Sequence, residues 1–146
     1  MLKKLLGKKS QKDEWELKEL DKGNGEIWLT RRNVHPLPER KVRKDYHHVL
    51  YLTFHYEPGR ETGFPSSKDN DAFEEIEEKI VSLCNPENTL FVAVVFMPKV
   101  KDYLFYSNTP HEMGDIFQPF IKEYPQFKVE FSGHPDEEWD QYDSFG

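Results

Sequence analysis

Leu90-Phe91-Val92-Ala93-Val94-Val95-Phe96-Met97 is an unbroken apolar run. It is too short for an independent helix, so it reads as a strand buried on both faces. Such a strand cannot lie bare at the edge of a sheet, where its free N–H and C=O groups would recruit other chains. Its neighbours therefore decide the architecture. Downstream, Pro98-Lys99-Val100-Lys101 turns the chain into a partner strand over Asp102 to Ser107. Upstream, the spacing of Phe73, Ile76, Ile80 and Leu83 predicts a helix beginning near Asp69–Asp71. Asp71 and Glu74 are spaced as a capping box, and Asn85-Pro86 ends the helix.

Further out, Tyr46 to Tyr56 alternates but is largely apolar on both faces, as a central strand is. Thr109-Pro110-His111-Glu112 reads as a helix start. That helix turns Met113, Phe117 and Ile121, with Ile116 and Phe120, inward, and Pro119 kinks or divides it. Phe127 to Phe131 alternates apolar and charged residues, giving a strand with one wet face. The order from residue 46 onward is β-α-β-β-α-β. It predicts an α+β fold, a ferredoxin-like split β-α-β sheet with two helices on one face. Trp15 to Leu20 and Glu26 to Arg32, joined by the turn residues Asp21 to Gly25, predict an N-terminal hairpin. Pairing of this hairpin with residues 90–97 would cover the apolar edge. A flexible basic tail over residues 1–12 and a single domain over 13–146 complete the organisation.

With 146 residues the chain can bury a sizeable core. Hydrophobic residues are only 36%, but 11 Phe, 7 Tyr and 3 Trp each bury a large area. A net charge of −7 disfavours phosphate backbones as partners, despite the basic residues between Arg31 and Lys44. The single cysteine, Cys84, excludes an internal disulfide and reads as structural at the end of a helix. Lysines interrupt the leucines of residues 1–9, so neither a signal peptide nor a membrane span is expected and a cytoplasmic location follows.

Catalytic motifs are weak throughout. Of the six histidines, His47 and His48 should point to opposite faces, and His55 lies about 27 Å from His47 at strand rise. His111-Glu112 resembles the start of HExxH, but Asp115 holds the second histidine's place. No nucleophile elbow and no P-loop are present. The expectation is a non-enzymatic protein without metal or cofactor.

Carboxylates carry the stronger signal. The predicted helix places Glu74, Glu75, Glu77 and Glu78 on its outer surface, where Glu74 and Glu78 repel at helical spacing. A basic partner would relieve that repulsion. At the C-terminus Asp136, Glu137, Glu138, Asp140 and Asp143 surround Trp139 and Tyr142. The aromatic pair can be an interface anchor with a charged rim, or Trp139 can fold back onto the core. The candidate partner-binding residues are thus Glu74, Glu75, Glu78, Asp136, Glu138, Trp139, Asp140 and Tyr142. The expected partner is a basic protein such as a nuclease or toxin. The alternative is a small hydrolase or other enzyme with a dispersed histidine and carboxylate site.

Three segments carry a family resemblance: Gly63-Phe64-Pro65, Asp102-Tyr103-Leu104-Phe105-Tyr106-Ser107, and Asp136-Glu137-Glu138-Trp139-Asp140-Gln141-Tyr142. Over about residues 46–146 the chain resembles a bacterial family known as domain of unknown function 695. The family pattern at the last segment is Asp-Pro-Glu-Trp-x-x-Tyr. Glu137 replaces the usual proline, a change that would loosen the turn but keep Trp139 and Tyr142 in register. The family has no established activity. Such domains are sometimes joined to a regulator of ribonuclease E, itself a small acidic inhibitor, so the resemblance implies binding and inhibition of the immunity-protein or nuclease-regulator kind.

Overall fold

A computed structural model describes residues 14–21, 23, 27–35, 43–59 and 63–144. The tail expected over residues 1–12 and much of the basic connection, residues 36–42, lie outside the described residues. The strands are β1 (Glu14–Asp21), β2 (Ile27–His35), β3 (His48–His55), β4 (Thr89–Met97), β5 (Val100–Ser107) and β6 (Lys128–Pro135). The helices are α1 (Ser67–Leu83), α2 (Pro110–Phe117), α3 (Pro119–Glu123) and α4 (Asp140–Asp143). The protein is α+β, with one six-stranded antiparallel sheet ordered β1-β2-β4-β5-β3-β6. As the apolar run demands, β4 is internal. The hairpin β1–β2 pairs along its free edge through Leu29↔Phe96, Thr30↔Val95, Arg31↔Val94 and Arg32↔Ala93.

Each face of the sheet has its own core. On one, Leu50, Leu52 and Phe54 of β3 pack with Phe73, Ile76 and Ile80 of α1 and with Met113, Phe117 and Phe120 of α2 and α3. Phe54 sits edge-on to Phe73, Tyr103, Phe120 and Phe127, with ring centroids 5.8, 5.7, 6.4 and 5.9 Å away. Edge-to-face geometry sets the positive ring edge against a negative ring face, so these rings do more than fill volume. On the other face Val49, Val92, Ala93, Val95, Leu104 and Tyr106 form a second cluster with Trp139 and Tyr142. An irregularity between Phe91 and Ala93 lets Val92 and Ala93 both join that second cluster.

Several local expectations shift. The cap of α1 is Ser66, whose side chain accepts from the Asp69 N–H at 3.2 Å, so Asp71 and Glu74 lie inside the helix. Leu83 is exposed at its end. The turn between β4 and β5 contracts to Pro98-Lys99, with Lys99 at φ 71°. Pro119 does divide the second helical segment. The break resets the helical phase, so Phe120 and Tyr124 turn inward while Ile116 and Ile121 remain exposed.

The Gly63-Phe64-Pro65 motif braces the β4–β5 turn. Gly63 has φ +84°, and a Cβ there would come within 2.8 Å of Pro98. Its carbonyl accepts from the Lys99 N–H at 2.9 Å. The Tyr56 hydroxyl lies 2.9 Å from the same carbonyl and 2.8 Å from that of Met97. Gly63→Ala therefore meets both backbone strain and a close contact, and should cost about 1–3 kcal/mol in denaturant unfolding.

A charged group is buried under α1, against the expectation of an outward Glu77. Arg31 is 4% exposed and Glu77 5%. Arg31 bonds both carboxylate oxygens of Glu77, with Nη1 at 2.9 Å from Oε2 and Nη2 on Oε1. The guanidinium also lies 4.9 Å over the Trp15 ring, so hairpin and helix are joined through one side chain. The Lys101 ammonium sits 4.6, 4.2 and 4.9 Å from the ring centres of Phe73, Phe96 and Tyr103. Burial pushes its pKa from 10.5 down to about 7, against the pull of Glu77. The unfolded chain therefore holds this proton at pH values where the folded chain has released it. Stability rises as pH climbs from about 7 toward 10.5, and the full penalty stands below 7. Lys101→Met should raise stability at neutral pH by on the order of a few kcal/mol. It should also flatten the rise between those pH values, as thermal melts across that range would record.

Candidate functional site

The structure separates the two groups of acidic candidates. Glu74, Glu75 and Glu78 are exposed on α1, which covers the first face of the sheet. Asp136, Glu138, Trp139, Asp140 and Tyr142 belong to the C-terminal turn, which closes the opposite face. They do not form one surface.

On α1, Glu75 is engaged at home. It accepts from the Tyr124 hydroxyl at 2.8 Å and pairs with Lys79 at 3.2 Å, and these contacts hold its carboxyl below the usual range. Lys79 also bonds Glu123 and lies 2.8 Å from the Tyr124 hydroxyl. The Glu123 carboxylate foremost raises its pKa. Glu74 and Glu78 face solvent.

In the C-terminal turn the aromatic residues belong to the core, which removes them as anchors presented to a partner. Trp139 is 0% exposed and Tyr142 2%. Trp139 adopts the left-handed conformation, φ 60° and ψ 37°, and so aims its indole back at the sheet. The ring stacks on Tyr106 at 4.1 Å and 15°. Its Nε1–H lies 3.1 Å from both the Arg43 and Tyr46 carbonyls. The Arg43 guanidinium covers the ring from 5.0 Å. Tyr142 meets Trp139 edge-on at 5.7 Å.

Asp136 organises this turn. Its N–H donates to the His47 carbonyl at 2.7 Å. Its carboxylate accepts from the Tyr106 hydroxyl at 2.7 Å and from the N–H groups of Asp140 and Gln141, both at 3.0 Å. Burial works to raise its pKa, but the Gln141 amide, the Tyr106 hydroxyl and the Asp140 amide outweigh it and keep the carboxyl low. Asp136 is thus structural, and Glu138 and Asp140 remain the exposed acidic candidates here.

The histidines are arranged differently from the expectation. His47 precedes β3, so strand alternation does not separate it from His48. The two Nδ1 atoms are 2.6 Å apart and the ring centroids 4.8 Å. His134 stacks on Tyr51 at 5.8 Å, and His55 pairs with Glu130 at 3.0 Å. Thr53 bonds the Asp102 carboxylate on the next strand, and burial raises the Asp102 pKa. Among the described residues, no group of three or more His, Cys, Asp or Glu is placed to hold a metal ion. Cys84 packs against the first core, and burial pushes its thiol up to about 12. No helix among the described residues is long and apolar enough to cross a membrane.

Replacing Trp139 with Ala empties a filled site and takes the indole donor from the Arg43 and Tyr46 carbonyls. The variant should lose about 3–5 kcal/mol of stability in thermal or urea unfolding, the range for buried aromatic truncations.

No curated relative and no solved structure matches the chain. A family model described as a family of unknown function, DUF695, matches residues 14–145, reaching back through the hairpin that the resemblance from residue 46 omits. The buried Trp139 and Tyr142, and the glycine bracing the β4–β5 turn, are therefore features of a chain that belongs to the DUF695 family.

Proposed function

We propose that this protein is a non-catalytic acidic binder that inhibits or regulates a basic protein, in the manner of an immunity protein or a nuclease regulator. The observation that carries the reading is the solvent face of α1, where Glu74 and Glu78 stand four residues apart in a chain of net charge −7. Like charges at that spacing destabilise a helix, and a cationic surface would relieve them. Steering by the overall field brings such a partner in, and the carboxylates orient it. The topology fits a ferredoxin-like split β-α-β unit: strands β3 to β6 lie in the order β4-β5-β3-β6, with α1 and α2 as crossovers. The lone Cys84, which permits no internal disulfide, suits a reducing, cytoplasmic setting.

A second reading, a small hydrolase with a dispersed site, draws on the Thr53–Asp102 pair beside His55 and Glu130 on adjoining strands. Asp102 would then serve as the acid, since burial keeps its proton on longer.

A tagged pull-down from native lysate at low and high salt separates the readings. The binder reading expects one basic protein held at low salt, weakened at high salt, and lost from the Glu74→Lys/Glu78→Lys variant. Retention unchanged by that charge reversal, or no specific partner at either salt, would overturn it. Turnover of a model substrate that disappears in Asp102→Asn would establish the second reading instead.

A further inference from the structure

At one end of the sheet the strand register gathers imidazoles that no functional reading has used. His48 opens β3 and lies across from Pro135 of β6 on one side and Ser107 of β5 on the other. The next pair in the register is Val49 with His134. His47 contributes its ring to His48 through the 2.6 Å Nδ1–Nδ1 contact, and its carbonyl to the Asp136 N–H at 2.7 Å. One residue pair thus touches both the start of β3 and the first residue of the turn that carries Trp139.

An Nδ1–Nδ1 hydrogen bond needs a proton on one ring and a lone pair on the other. It survives one added proton, because an imidazolium can still donate to a neutral imidazole. It fails when both rings are charged, since two N–H groups then face each other. We propose that the His47–His48 pair is an acid-sensitive latch: it holds the C-terminal turn, residues 136–144, against the sheet near neutral pH and lets it loosen when both rings are protonated. Loosening would uncover Tyr106, Leu104 and Val49 and free Trp139 and Tyr142, the second core.

The surroundings favour a response below neutrality. The groups bearing on His48 are all imidazoles: His47 beside it, His111 from the first turn of α2 and His134 from β6. From β5 it meets Ser107, whose hydroxyl is shared with Thr89. Burial first, then these imidazoles, lowers the His48 pKa below 6.5. Asp136 faces His134 from the first residue of the turn. An open turn takes up the His48 proton more readily than the closed one. Closure is therefore fully present above 6.5 and is lost as pH falls through the lowered value.

The test is an NMR titration of the full chain from about pH 7.5 to about pH 5. It follows the Trp139 indole N–H and the amide exchange of residues 136–144, corrected for intrinsic rates. In the wild type, protection of the turn should fall about tenfold or more, while the amides of β4 and β5 keep theirs. His48→Gln should abolish the fall, and His47→Gln provides a second variant should the first not fold. Protection unchanged at the acid end would overturn the latch. So would an identical fall in both variants, or a loss shared by the whole sheet.

Discussion

Burial of β4 on both faces and along both edges is the constraint from which the remaining architecture follows. A strand reading Leu-Phe-Val-Ala-Val-Val-Phe-Met offers no polar face to water, so it needs neighbours on either side and a layer above and below. The hairpin and β5 supply the neighbours. The helices supply the layer on one face, and the second cluster, closed by Trp139 and Tyr142, protects the other. The C-terminal turn is therefore a structural lid on an apolar strand, and its acidic residues ride on it. Their charge decorates a surface whose position was decided by the need to cover carbon.

Attaching the hairpin required polar chemistry. Residues on β2 at the helix side must meet α1, and Arg31 does so by forking onto Glu77 while stacking over Trp15. A buried pair of this kind gives modest net stability, because desolvating both ions consumes most of their attraction. Its geometry is demanding, however: a guanidinium that must bond two oxygens admits one register. Lys101 adds a positive charge to the same region and meets the rings of Phe73, Phe96 and Tyr103. Burial disfavours the charged ammonium more than Glu77 favours it, which is why the lysine's pKa falls.

The order of elements was legible because each depended on local pattern: alternation in β3, the apolar stripe of α1, the prolines at 110 and 119, and the short apolar run of β4. What escaped was long-range. Glu77 stands four residues after Phe73 and three before Ile80, inside the apolar stripe, and Arg31 shares a strand face with Leu29. Each position carried a sign of burial, but only the pairing of β2 with β4 shows that the two charges meet. Trp139 was ambiguous because an aromatic ringed by acids has the same composition in a lid as in an interface. The left-handed backbone at that residue, which the sequence does not announce, decides between them. The contact of His47 with His48 was hidden by the position of a strand boundary.

The separation of the acidic groups bears on the binding reading in a definite way. Charges screen over about 8 Å at physiological salt, and the two acidic groups lie with opposite faces of the sheet. Glu74 and Glu78 on one side and Glu138 and Asp140 on the other would therefore act on a proposed partner independently, although both would contribute to the long-range field that attracts it. A single rigid partner can be held by one group only. The C-terminal group sits on a lid whose carboxylate Asp136 is already committed to the Tyr106 hydroxyl and two backbone amides. On α1, by contrast, Glu74 and Glu78 ride on a helix of 17 residues anchored by Phe73, Ile76 and Ile80. Preorganised charge on a rigid element loses less entropy on docking than charge on a turn. On the proposed binder reading the helix would therefore be the better platform for a basic surface, and the C-terminal carboxylates would contribute to its approach.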